Sequence, residues 1–283
     1  MSQTHTTTLR KILHHPSIQI GMIYLTFTSF TLSASSSPLL TLLAAAVLMP
    51  ASLYFYGYLH NHYHSSSVQK RNLKYELIGI LMSAPLGMSW AIYKKHHGNH
   101  HKFNNAEGDY AQTVDRKGRL RNGGEYLWST AVWPSLIQFV PYVSYVFMKK
   151  ENRTLIHFFD ESLRVGLRIA VLMLFGLTPL LVVLAIQTLF LTYLFYINYL
   201  QHVGCTSPSA HTWSNPIFNF ITNNLGLHDE HHRNGYASPE RLAELSGHRG
   251  VHSLAYLNPL SFLVFLVDPN QLVPRKQAQA GES

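Results

Sequence analysis

The sequence predicts an all-α integral membrane protein, built from two transmembrane helical hairpins with interfacial helices and a cytoplasmic helical lobe. Of its 283 residues, 47% are hydrophobic and only 13% are charged, whereas average soluble domains carry about 25% charged residues. Histidine is abundant, at 18 residues, and most of these cluster beside the apolar stretches. The length allows one compact unit, so residues 1–283 are treated as a single membrane-bound domain.

Four apolar stretches approach the roughly 20 residues that a helix needs to cross the hydrocarbon core of a bilayer. They are Ile18–Ala34, Pro38–Leu59, Leu163–Leu177 and Leu180–Leu200. The connectors at residues 35–38 and around Thr178-Pro179 are very short and uncharged. The four stretches therefore pair as two hairpins, which makes four spans.

The basic residues predict the orientation of these spans. No Lys or Arg occurs between Lys11 and Lys70, or between Arg168 and Arg233. By the positive-inside rule, both termini and the 70–160 region lie on the cytoplasmic side of a multi-pass protein. The formal charge of +8 then fits attraction to anionic lipid rather than to nucleic acid, for which the chain has no phosphate-binding loop and no RNA-binding signature.

Two further apolar stretches, Leu77–Tyr93 and Tyr126–Phe147, are interrupted by prolines. If either one crossed the membrane alone, the histidine clusters would end on opposite sides. A single metal site needs them on one side, so both stretches are predicted to be interfacial or re-entrant helices. The alternative is a six-span protein without a shared site.

Three histidine clusters have spacings that place their imidazoles on one face of a helix. One is an HxxxH pair and two are HxxHH sets; the members are His60 and His64, then His97, His100 and His101, then His228, His231 and His232. Imidazole is a ligand for transition metals such as Zn, Cu, Fe and Ni, so the three clusters together predict a metal site. In the second cluster His96 could replace His97 with a less tight convergence, whereas His62 points away from the HxxxH face.

A fourth element, Asn198-Tyr-Leu-Gln-His202, ends the last predicted span. The order HxxxH, HxxHH, NxxxH, HxxHH resembles the membrane fatty-acid desaturase and hydroxylase superfamily, which includes alkane monooxygenases. The resemblance covers about Gly57 to His232 and implies that nine histidines hold two irons in a cytoplasmic di-iron lobe. Carried over to this chain, the nine are His60, His64, His97, His100, His101, His202, His228, His231 and His232.

The resemblance also suggests roles for residues other than the nine ligands. Asn198 would hold an iron-bound water, and His211, in a segment similar to one of alkane monooxygenases, would lie behind the ligands. Nine neutral imidazoles bring no negative charge to offset the metals. Nearby acids are therefore expected to accept the free ring N–H of some ligands; they are Glu107, Asp109, Asp229 and Glu230.

The function implied by the resemblance is an O2-dependent di-iron oxidoreductase that acts on a lipid acyl chain, with a fatty-acid desaturase expected first. A hydroxylase, an alkane-type monooxygenase and an oxidative decarboxylase are the alternatives. Because Cys205 is the only cysteine, a rubredoxin-like site within the chain is excluded, and an external ferredoxin, rubredoxin or cytochrome b5 type donor with its reductase is expected. A membrane metal transporter or sensor is a non-enzyme alternative, but such proteins usually place acids or histidines inside their spans.

Overall fold

The computed structural model describes residues 37–64, 72–128, 154–205, 210–245 and 259–272. In these ranges the chain is helical apart from turns and two isolated antiparallel bridges, so the all-α prediction is confirmed there. The helices are α1 (Pro38–His64), α2 (Leu73–Ser83), α3 (Trp90–Phe103), α4 (Gly123–Tyr126), α5 (Leu155–Phe175), α6 (Leu177–His202), α7 (Pro216–Thr222), α8 (His228–Arg233), α9 (Pro239–Leu245) and α10 (Pro259–Val267), followed by a 3-10 turn at Pro269–Leu272.

Helix α1 packs against α2, α6 and α7. It contains the second predicted span, and it continues without a break through the HxxxH motif to His64. Leu59, immediately before the motif, and Phe55, about one turn earlier, are buried in the hydrophobic core. The apolar helix and the first two histidines of the site therefore form one rigid element.

Helices α2 and α3 form an antiparallel hairpin, so Leu77–Tyr93 is not a single crossing helix. The chain reverses through residues 84–89, where Gly87 has a φ of 76°. Buried Glu76 on α2 accepts hydrogen bonds from Trp90 Nε1 at 2.9 Å and from Lys94 Nζ at 2.6 Å, both on α3. This reversal agrees with the re-entrant prediction for Leu77–Tyr93. The Tyr126–Phe147 stretch lies outside the described residues beyond position 128.

The break between α5 and α6 lies at Gly176, two residues before the turn that the sequence predicted at Thr178-Pro179. Gly176 has a φ of 90°, a backbone conformation that a residue with a Cβ rarely adopts. Pro179 instead lies in the first turn of α6, where its missing N–H removes no helical hydrogen bond.

Helices α5 and α6 double back on each other as a hairpin. Arg164, on α5, donates to the carbonyl of Gly87 at 3.3 Å, and Gln187, on α6, donates to the carbonyl of Pro85 at 3.0 Å. Since these side chains lie at similar distances along the chain before and after Gly176, both arms of the hairpin reach the same turn. The predicted pairing of the third and fourth apolar stretches therefore fits the described helices.

Among the described residues, one helix, α6, is long and apolar enough by length and composition to cross a membrane. Helix α5 begins at Leu155, well before the predicted start at Leu163, and its added N-terminal part includes Asp160 and Glu161, which are fully buried. The first predicted span, Ile18–Ala34, lies outside the described residues.

The α2–α3 hairpin yields a prediction about packing. A Cβ atom added at Gly79 would lie 2.2 Å from the Trp90 ring, so Gly79→Leu must push the two helices apart. Overpacking of this kind typically costs about 1–3 kcal/mol. We expect a lower melting temperature in detergent by thermal-shift measurement. The control is Gly166→Ala, a helical glycine with nothing within 4 Å of the added Cβ; an equal effect of both changes would contradict the packing.

Candidate metal centre

Four helices bring the nine predicted histidines together at their ends. Helix α1 contributes the HxxxH pair, α3 and α8 contribute one HxxHH set each, and α6 ends on His202. Seven of the nine side chains belong to buried residues, and His101 and His232 are half-buried. Segments far apart in the sequence thus meet in one place.

The imidazoles form two groups whose nitrogen atoms all lie within 4.8 Å of one another inside each group. The first group is His60, His64, His97 and His231, and the second group is His100, His202, His228 and His232. His101 adjoins the first group, with its Nε2 at 3.1 Å from Nε2 of His231, and its ring stacks on that of His232 with centroids 4.6 Å apart. The arrangement can therefore hold two ions side by side.

Each HxxHH helix serves both groups. On α3, His97 and His101 face the first group while His100 faces the second. On α8 the same pattern is reversed, because His228 and His232 belong to the second group and His231 belongs to the first. Residues four apart lie one above the other on a helix, so the i and i+4 imidazoles share one group and the i+3 imidazole reaches the other.

The separations between the ring nitrogens fit metal ligation. The Nε2 atoms of His64 and His97 are 2.8 Å apart, those of His60 and His231 are 2.9 Å apart, and those of His202 and His228 are 2.9 Å apart. Two nitrogens bound to one ion at about 2.1 Å and at a right angle would lie about 3 Å apart. The donor set, which is all imidazole, suits a transition metal such as iron, copper, nickel or zinc.

Burial favours the neutral form of the imidazoles whose pKa it lowers, and the neutral form is the one that binds metal. Burial, together with the neighbouring histidines, holds the pKa of His97, His228 and His231 well below the usual value, and it lowers the pKa of His101 to about 2. A charged imidazolium would have to leave water and would also repel the other rings. The site is therefore ready to bind a cation without first losing protons at neutral pH.

Asp109 sets the tautomer of His100. Its Oδ2 lies 2.8 Å from Nδ1 of His100, so this ring nitrogen carries the proton and the buried Nε2, which has no hydrogen-bond partner in the described chain, faces the second group as a donor to metal. Burial alone would raise the pKa of Asp109, but the hydrogen bonds from His100, Ala111 and Asn105 outweigh it and the pKa lies below the usual value.

The other three acids suggested by the sequence have different contacts. Asp229 pairs with Arg233 at 2.8 Å, Glu230 accepts the hydroxyl of Thr212, and Glu107 is exposed. Besides the contact of Asp109 with His100, a clustered imidazole has a polar contact with Tyr93, whose hydroxyl lies 3.3 Å from Nδ1 of His60. The sequence pointed to Asp109 only as one of four acids and gave no signal for Tyr93.

Asn105 was missed by the sequence analysis, although it ties two ligand-bearing helices together. Asn104 is the C-cap of α3, and Asn104 and Asn105 adopt positive φ angles of 42° and 66°, respectively. The Asn105 amide then donates to the carbonyls of His202 and Cys205, each at 3.2 Å, at the end of α6. The Asn-Asn pair after a helix is a signal that could have indicated this cap, because Asn tolerates the left-handed conformation.

The remaining histidines of the motifs lie outside both groups. The ring of His96 contacts Phe195 rather than the two groups, which places His97 and not His96 among the clustered nitrogens. His62 is buried and bonds the carbonyl of Tyr75 at 2.8 Å, on the side of α2. His211 lies 2.9 Å from the carbonyl of Val203, just after His202, so it supports the end of α6.

An apolar cavity reaches the histidine groups from one side. Its volume is about 70 Å³, it is partly open to the outside, and His97 and His100 form part of its wall. Most of the other lining residues are aromatic or aliphatic, and they include Leu191, Leu194 and Phe195 of α6. Asn198 also lines it, and its amide donates to the hydroxyl of Tyr126 at 2.9 Å.

A second, more open pocket reaches the histidines through other residues. It is lined by His64, His101 and His232 together with Arg233 and Arg241, and it shares no lining residue with the apolar cavity. The two histidine groups are thus approached by one apolar and one polar route.

Comparison with known proteins gives one family. The family model described as fatty acid desaturase matches residues 36–257, which is more than three quarters of the chain and includes all nine clustered histidines. No curated protein matches the chain.

The site predicts different effects for two neighbouring histidines. His97→Ala removes a nitrogen from the first group, so we expect purified protein to lose metal from that group. His96→Ala is the matched control, because its ring lies in the cavity wall and joins neither group. Elemental analysis of both variants measures metal per chain. Wild-type metal content in His97→Ala, or equal loss in both, would show that the clustered nitrogens are not the ligands.

Proposed function

Because the chain belongs to the fatty acid desaturase family, we propose that it is a membrane-bound, O2-dependent di-iron oxidoreductase that desaturates a lipid acyl chain. The observation that carries this proposal is the pair of adjoining imidazole groups at the end of an apolar cavity. Two groups of four, with His101 between them, offer ligands for two ions. The nine histidines named above are the proposed iron ligands.

The two histidine groups would hold two irons, which, when bound and reduced, would supply the electrons that turn O2 into an oxidant for an unactivated C–H bond. The protein places one methylene of the chain near the metals and excludes water. Leu191, Leu194 and Phe195 fit this task, since they form an apolar wall on the same cavity as His97 and His100. Asp109 holds the ring of His100 in the tautomer that leaves Nε2 available, and the Tyr93 hydroxyl contacts Nδ1 of His60 and orients that ring.

Asn198 is proposed to hold a water near the metals. It lines the cavity beside His100, and His202, four residues later on α6, belongs to the second group. Its amide nitrogen is directed to Tyr126, which leaves its side-chain oxygen as the group for a water proton. This role would tune the rate without making Asn198 a metal ligand.

Hydroxylation of the chain is the second candidate reaction. The segments Asn-Tyr-Leu-Gln-His202 and His211-Thr-Trp-Ser favour it, because they resemble those of alkane monooxygenases. Both reactions begin by removing hydrogen from a methylene group. They differ in whether the chain then loses a second hydrogen or gains an oxygen.

The proposed setting is a multi-pass membrane protein with its metal centre on the cytoplasmic side. Exposed apolar side chains at the tip of the α5–α6 hairpin support this: Met173, Leu174, Leu177 and Leu181. The histidines lie at the other end of α6, where the basic residues resume. An external donor of the ferredoxin, rubredoxin or cytochrome b5 type, with its reductase, would supply electrons, and the polar pocket with Arg233 and Arg241 offers a route to the ligands that avoids the acyl cavity.

The proposal predicts both a metal content and a product. Purified protein should hold about two irons per chain, one for each histidine group. Lipids of cells with and without the gene, compared by mass spectrometry, should differ by the loss of two hydrogens in one acyl chain. A gain of one oxygen would replace desaturation by hydroxylation, and one zinc without iron would refute the di-iron enzyme.

A cavity variant tests the route of the acyl chain. Leu194→Trp fills part of the cavity beside the histidines, so we expect product formation to fall by about tenfold or more, because small misplacements of a reacting group are costly. Iron content should not change. Leu189→Trp, on the same helix but 61% exposed, is the control and should retain activity. Full activity of Leu194→Trp would mean that the substrate takes another path.

A further inference from the structure

The beginning of helix α3 is held by a side chain from another helix. Ser89 is the N-cap of α3, and its Oγ accepts from the backbone N–H of Ile92 at 3.4 Å. The same hydroxyl donates to Oδ2 of Asp160, on α5, at 2.7 Å. Oδ2 also accepts from the backbone N–H of Ala91 at 3.1 Å. One carboxylate oxygen of α5 thus caps a helix that it is not part of.

Water cannot take over this role, because the cap is sealed. Ser89, Trp90 and Asp160 are each 0% exposed. The first N–H groups of a helix have no partner inside the helix, and a buried polar group without a partner is costly. Without the Asp160 carboxylate, the start of α3 would have to move until its hydroxyl and amide found other acceptors.

The turn before α3 is held by the same hairpin. Arg164 and Gln187 bind the carbonyls of Gly87 and Pro85, as described above, and Glu161 forms an ion pair with Arg164. A Cβ at Gly87 would lie 2.7 Å from the Gln187 side chain, so the turn is in close contact with α6 as well. Asp160 is the member of this set that contacts α3 itself.

Helix α3 carries three of the proposed ligands. His97 lies eight residues after Ser89, or about 12 Å along the helix at 1.5 Å per residue. A short helix moves as a stiff unit, so a shift at its first turn is passed on to His97, His100 and His101. The Nε2 atoms of His97 and His101 lie about 3 Å from those of His64 and His231 on other helices, which leaves little room for such a shift.

We propose that Asp160 is a positioning residue for the metal centre, which fixes the start of α3 against α5 and thereby sets where the α3 histidines lie. The proposal rests on the metal centre proposed above. It deepens that function by assigning a part of the site to a residue in the hairpin, outside all four histidine motifs. Asp160 hydrogen-bonds to Ser89 and Ala91 rather than to a proposed ligand. Its effect on the metals therefore passes through α3.

The test uses the full chain, purified in detergent, with Co²⁺ as the probe metal. Asp160→Ala should bind Co²⁺ at least about tenfold more weakly than wild type, the lower end of what losing a supporting partner costs, and its visible absorption spectrum should shift because the ligands move. In the described chain Oδ1 of Asp160 accepts no hydrogen bond. Asp160→Asn keeps one side-chain oxygen that can accept from Ser89 and Ala91 in place of Oδ2, so this variant should show the affinity and the spectrum of wild type. A role limited to stability would leave the spectrum of the folded fraction unchanged.

Two further variants complete the experiment. Ser89→Ala removes one of the two contacts to Asp160 and should shift affinity and spectrum in the same direction by less; it decides the question if Asp160→Ala does not fold. Asp115→Ala is the control, since this half-buried carboxylate also accepts two backbone amides, from Lys117 and Arg119, but these belong to a loop and not to α3. Wild-type affinity and spectrum in folded Asp160→Ala, or in Ser89→Ala where that variant decides, would overturn the proposal. Failure of wild type to bind Co²⁺ would instead refute the metal centre.

Discussion

The two HxxHH helices each supply imidazoles to both histidine groups, and α1 and α6 bring the remaining histidines to the same two groups. His231 of α8 meets His60 of α1 across 171 positions of sequence, and His64 meets His97 of α3. Neither α3 nor α8 can move without disturbing both groups. Both ends of α3 are held by other helices. Its start is bound to α5 through Ser89 and Asp160, and its end is bound to α6 through Asn105.

Burial lowers the pKa of most of the clustered histidines and so favours the neutral form that binds metal. Enclosed imidazoles stay neutral, because a positive ring would lose its hydration and would face other rings. Soluble di-iron bundles balance their metals with bridging carboxylates, whereas here Asp109 is the carboxylate seen on a clustered ring among the described residues. Its negative charge is itself stabilised by the amides of Asn105 and Ala111. The centre thus relies on neutral donors, with one charge placed behind His100.

The same helices that hold the histidines also shape access to them. Helix α6 presents Leu191, Leu194 and Asn198 to the apolar cavity and then ends on His202. Arg233, just after the α8 histidines, lines the polar pocket. The proposed acyl substrate and the proposed electron donor would need apolar and polar surroundings respectively, and the two routes would provide both. The α5–α6 hairpin also carries Asp160, so this hairpin is connected directly to the start of the ligand-bearing helix α3.

Sequence alone determined the helical class, the histidine motifs and the family, because helical periodicity and ligand spacing are local properties. It also indicated that Leu77–Tyr93 turns back, since Pro85 and Gly87 break a helix wherever they occur. It did not determine which imidazoles share a group, because the histidines of one HxxHH helix divide between two groups and the division depends on the neighbouring helices. Asp160 and Tyr93 had no signal as partners of the site, the Asn-Asn pair at 104–105 indicated a cap but not its contact with α6, and α5 was expected to begin at Leu163. Their contacts span long sequence separations, so only the packing of α3 against α5, α1 and α6 decided them.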